Sequence, residues 1–169
     1  MTQRNQIDFS KVRPANEIVG EDQEETDLLK GHLSEAVEYV SGQKWCSEIV
    51  KSYLGIGVGG VVGVFLFQIR SDDPEVDDYV WAIVGDIPPL YLTVEDCPNP
   101  ACALDGYIGA LEQWAEAAIE QKTMEGLPPV SAPATVENGR SLKKRLEFLE
   151  REVLSQYQGD LVRSETNEK

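Results

Sequence analysis

Glu112, Glu116 and Glu120 recur at every fourth residue, the spacing that stacks side chains one turn apart on a single helical face. Carboxylates so placed can act as a pair in hydrolysis, hold a hard cation or meet a basic surface. Like charges at this spacing cost a few tenths of a kcal/mol per pair, and the ordinary use of such a row is a solvated face. Asp105 lies on the same side of the stretch. A second acidic group, Asp72-Asp73-Pro74-Glu75-Val76-Asp77-Asp78, alternates carboxylates as hard-cation sites require. It lacks the glycine at the sixth position and the terminal bidentate acid of a twelve-residue calcium loop. It therefore reads as a solvated hairpin loop.

Three further patterns weaken under the same scrutiny. Gly55-Ile56-Gly57-Val58-Gly59-Gly60 matches G-x-G-x-x-G, but that motif approaches a pyrophosphate only between a strand and a helix of a βαβ unit. Here the order reads helix, glycines, strand. Cys97-Pro98-Asn99-Pro100-Ala101-Cys102 places Cys102 in the first turn of a helix, where aligned amides favour a thiolate. The spacing is neither C-x-x-C nor paired with a second such motif, so zinc and redox centres are unsupported. His32, the single histidine, sits at the edge of an apolar stripe and reads as a boundary residue covering the core. No catalytic residue, metal site or cofactor is assigned.

The elements that must position these residues follow from periodicity. Residues 1–21 are polar and aperiodic and read as a loose arm. Asp22 followed by Glu25 forms a capping box, and Leu29, Leu33, Ala36, Val37 and Val40 predict a helix to Ser41. Trp45, Ile49, Val50 and Tyr53 are spaced for a second, short helix, after which the glycines make a tight connection. Strands are predicted over Val61–Ile69, apolar on both faces, Tyr79–Val84 and Leu90–Val94, with Pro88-Pro89 in the turn between the last two. Asn99 caps, and Pro100 begins, a helix whose stripe runs Leu104, Tyr107, Ile108, Leu111, Trp114, Ala115, Ala118 and Ile119. The proline-rich residues 126–139 read as a surface linker. Ser141 caps a last helix over 140–158 with the narrow stripe Leu142, Leu146, Leu149, Val153 and Tyr157, and 159–169 reads as a disordered tail. The fold class is α+β: a three-stranded antiparallel meander packed with N-terminal and C-terminal helices, residues 22–125 forming the single domain.

Charge narrows the function classes. The 169-residue chain carries a net charge of −15, which disfavours contact with nucleic acid or anionic membrane and points to a basic partner. Fourteen acids stand against one base, Lys122, between Ser71 and Gly139, whereas Arg140–Glu152 holds five bases and three acids. That last helix is expected to neutralise part of the excess. Three cysteines and an N-terminal stretch without an apolar targeting core fit a reducing cytoplasm. Ser52–Ile69 is uncharged, yet it is short for a membrane span and holds five glycines.

The run VWAIVGDIPPLYLTVEDCPNPACALDGYIGALEQWAEA resembles a family of small uncharacterised bacterial proteins, the similarity covering Tyr53–Ala118. It implies a shared α+β fold and no activity. Size and acidity are also similar, at class level, to immunity proteins that neutralise basic nuclease toxins. The leading expectation is a non-enzymatic binding protein, its partner surface formed by Asp105, Glu112, Glu116 and Glu120 with Asp72, Asp73, Glu75, Asp77 and Asp78. The alternatives are a small metal-dependent hydrolase using these carboxylates, or a structural subunit, with the final helix as a possible homodimer contact.

Overall fold

A computed structural model describes residues 7–95 and 97–161. The chain is α+β, with a five-stranded antiparallel meander in the order β1-β2-β3-β4-β5. The strands are β1 (Arg13–Pro14), β2 (Glu48–Val58), β3 (Val62–Arg70), β4 (Tyr79–Gly85) and β5 (Leu90–Thr93), and the helices α1 (Gln23–Ser41), α2 (Pro100–Glu120) and α3 (Val136–Phe148). The three strands expected from sequence are β3, β4 and β5. Two more lie before them, and the helix expected over 44–53 does not form.

The residues read as that helix and its glycine connection are the strand β2. Its pairing with β3 is irregular between Ile49 and Lys51 and again between Leu54 and Ile56. Each irregularity shifts the side-chain alternation by one residue, so the two-residue period is broken and Trp45, Ile49 and Tyr53 fall by accident at helical spacing. Ser52–Ile69, the uncharged run, is thus a β2–β3 hairpin. The arm is also ordered where it is described: the Asp8 amide donates to the Pro98 carbonyl at 2.8 Å, and the Phe9 ring meets those of Tyr53 and Tyr79 edge-on at 5.6 Å. Pro14, which has no N–H to give a ladder, sits on the sheet edge.

The chain divides into two compact units, residues 1–103 and 104–169. In the first, α1 lies against one face of the sheet, where Leu29, Ala36 and Val40 join Leu54, Phe65, Phe67, Ile69, Val80, Ala82 and Val84 in a single buried cluster. Every residue of β3 from Val62 to Phe67 is buried. On the other face Val64 pairs with Ile83 and Leu66 with Trp81, all fully buried. The Trp81 indole N–H donates to the Cys97 carbonyl at 2.9 Å, so the ring's one polar atom is satisfied.

In the second unit the stripe predicted for α2 is buried from Leu104 to Ala118. The last helix starts earlier than expected. Thr135 caps it by accepting from the Asn138 amide at 3.0 Å, where Ser141 was expected to. Gly139, taken for the end of the linker, lies inside α3 because bulk is forbidden there: a Cβ would sit 2.7 Å from the Ala115 carbonyl and 2.9 Å from Ile119 of α2. Beyond Phe148 a wide turn over Leu149–Val153 and a tight one over Leu154–Tyr157 replace regular winding. The change of pitch buries Leu154 and leaves Tyr157, the last residue of the predicted stripe, half-buried.

Two helical glycines consequently respond in opposite senses to alanine. Gly109 has open space at its missing Cβ, so Gly109→Ala gains about 0.5–1 kcal/mol from backbone entropy alone. Gly139→Ala gains the same propensity but forces α3 off α2, and is expected to lose about 1–3 kcal/mol net. Urea midpoints of the two variants check both signs.

Candidate functional site

The glycine run is a helix-docking surface. Gly55 and Gly57 are in β2, and Gly60 turns the hairpin with φ of +79°. The missing side chain of Gly57 leaves the space that Leu29 of α1 occupies. The amides a phosphate would need already have partners: Gly59 donates to the Glu25 carboxylate at 3.3 Å and Gly60 to His32 Nε2 at 3.0 Å. Glu25 also accepts from the Glu21 amide at 2.9 Å, while Asp22 caps α1 by accepting from the Glu25 amide at 2.8 Å. The match to G-x-G-x-x-G is therefore a consequence of close packing.

His32 does more than the boundary role read from its position. It is buried, and accepting from Gly60 at Nε2 places its proton on Nδ1, which lies 3.9 Å from a Glu35 carboxylate oxygen. Burial lowers its pKa below the ordinary 6.5, with Glu35 opposing more weakly. Cys46, Cys97 and Cys102 are half-buried reduced thiols. Burial raises the Cys46 pKa, which suppresses the reactive thiolate. The Cys102 amide is spent on the helix cap, donating to Asn99 Oδ1 at 2.9 Å.

The acids predicted as a partner surface fall into two places. Asp72, Asp73, Glu75, Asp77 and Asp78 make up the β3–β4 loop, all exposed except the half-buried Asp77. The loop is held by backbone turns, Asp73 accepting from the Glu75 amide at 2.9 Å, and it does not gather its carboxylates around a point. Among the described residues no group of three or more His, Cys, Asp or Glu could hold a metal ion. Asp105, Glu112, Glu116 and Glu120 lie on α2; Glu120 is paired with Lys122 at 2.8 Å.

Glu112 has surroundings the sequence did not disclose. Burial raises its pKa above the ordinary carboxylate value; Glu150 and Glu116 push it the same way, Lys143 opposes, and Glu147 adds a smaller push. The last helix was expected to neutralise part of the acidic excess, and its Lys143 acts in that sense on both Glu112 and Glu120. Around Glu112, α3 and the wide turn after it bring the carboxylates of Glu147 and Glu150 along with the Lys143 ammonium.

A second grouping was missed outright. An open recess of about 390 Å³ lies in the first unit, with Trp45 and Tyr91 on its walls and Glu75, Asp77 and Glu95 around it. Trp45 follows α1, Glu75 and Asp77 come from the β3–β4 loop, and Tyr91 and Glu95 come from β5 and its exit. No local pattern links positions so far apart in the chain.

No family model, curated protein or solved structure matches the chain. The fold by itself defines the class, an α+β protein on an antiparallel meander. Among the described residues no helix is long and apolar enough to cross a membrane.

Two titrations have opposite signs. The unfolded chain takes up the His32 proton more readily than the folded one, so stability is lost as pH falls through 6.5 toward the lowered folded value. His32→Gln, which keeps an acceptor for Gly60, is expected to flatten that part of the profile in urea unfolding between pH 7.5 and 5. For Glu112 the folded state holds the proton more tightly, and stability falls as pH rises through the ordinary carboxylate value. Glu112→Gln should raise the melting temperature by about 1 °C at pH 7, given a few tenths of a kcal/mol per like-charge pair, and by nothing at pH 3.5.

Proposed function

We propose that the chain is a non-enzymatic, cytoplasmic acidic binding protein whose partner is a basic protein, in the manner of an immunity or antitoxin-like inhibitor. The observation that carries this is the gathering of Glu150, Glu116 and Glu147 around Glu112, which Lys143 offsets only in part. The arrangement opposes folding, and arginine or lysine side chains of a partner would relieve it. Asp105 and Glu116 extend the same charge along α2, on which Glu120 is paired with Lys122, and the β3–β4 loop supplies a second cluster of carboxylates, exposed except for the half-buried Asp77. Such a field speeds encounter with a basic protein and falls off with salt.

The test is capture of proteins by the tagged chain from lysate of its own source cells, followed by kinetics with the purified partner. The expected partner is basic, and its association rate falls about tenfold between 50 and 500 mM salt. The variant E112Q/E116Q/E147Q/E150Q is expected to weaken both the association rate and its salt dependence. An unchanged rate and salt slope in that variant would remove this face from the interface.

A further inference from the structure

We propose that the recess lined by Trp45 and Tyr91 takes the guanidinium of an arginine side chain presented by the partner. This rests on the reading that the partner is basic and adds the chemistry of one contact. Aromatic walls, carboxylates at the rim and an absence of lysine or arginine from the lining together describe a site for an organic cation.

The aromatic wall is built rather than incidental. The Trp45 and Tyr91 rings meet edge to face with centroids 4.8 Å apart, and Tyr39 braces Tyr91 from 6.3 Å. The Tyr39–Tyr91 ring contact joins the edge strand to α1. Tyr79, whose ring meets Phe9 edge-on, adds a third aromatic side chain to the lining. Tyr91 is 37% exposed, which is high for an aromatic ring held this firmly. Ile69 and Val80 are buried beneath and offer apolar surface to the methylenes of an entering side chain.

The carboxylates select the charge. Glu75 and Asp77 arrive from one segment and Glu95 from another, so the recess has carboxylates from two parts of the chain. Guanidinium suits this better than ammonium: it is planar, stacks on aromatic faces, is less strongly hydrated and donates in a fork that matches carboxylates. Low-dielectric walls in a concave site also strengthen each pairing.

The test follows the indole N–H signals of the full chain by NMR during titration with the capped tripeptide acetyl-Gly-Arg-Gly-amide. Its citrulline and lysine counterparts serve as neutral and ammonium probes, and Trp45→Phe identifies the Trp45 signal. The expected result is a saturable shift of that signal with the arginine peptide, about tenfold weaker with lysine and absent with citrulline. E75Q/D77N/E95Q, whose changes are isosteric and at exposed or half-buried positions, should fold normally and bind the arginine peptide at least tenfold more weakly. Equal response to citrulline, or full binding by the triple variant, overturns the proposal.

A basic partner bound at full affinity by E75Q/D77N/E95Q would overturn the arginine site and leave the acidic-face reading intact. Saturable, charge-dependent peptide binding in the recess supports the site even where the α2–α3 variant leaves partner kinetics unchanged.

Discussion

Every residue of β3 from Val62 to Phe67 is buried, and most of the first unit follows from that constraint. A strand buried on both faces must find every backbone partner in its neighbours, which β2 and β4 supply along its length. Its side chains must be covered by the chain itself. α1 does this on one face, and to come close enough it needs glycines in the adjoining hairpin. The helix then takes up the amides that this turn exposes, through Glu25 and His32. Packing and polar satisfaction are thus solved by the same residues, and among the described residues no buried side-chain nitrogen or oxygen lacks a partner.

The electrostatics are less well reconciled. The core is filled and its buried polar groups are paired, whereas carboxylates of α2, α3 and the turn after α3 crowd one another around Glu112. Local conflicts of this kind are where folded proteins commonly carry function. The acidic excess is therefore better understood as a property of the surface than as a contribution to the fold.

His32 and Glu112 show how burial decides the meaning of a titratable side chain. Both are displaced mainly by loss of water, in opposite directions, because burial disfavours the charged form of each. In His32 the outcome is a neutral acceptor committed to Gly60. In Glu112 it is a carboxyl whose charge the fold tolerates at some cost.

The sequence by itself determined the helices α1 and α2, their caps at Asp22 and Asn99, and the strands β3, β4 and β5, because each depends on short-range periodicity and on donors a few residues away. The exposed acidic loop was legible for the same reason. Tertiary structure alone decided that 48–58 is a strand, since irregular pairing with β3 breaks the alternation that marks one. It decided that Gly139 belongs inside a helix, since only contact with Ala115 and Ile119 explains a residue that propensity disfavours there. It also placed Glu147 and Glu150 beside Glu112, and Trp45 and Tyr91 beside Glu75, Asp77 and Glu95. Those meetings depend on which faces of distant segments come together, and no local spacing in a chain encodes that.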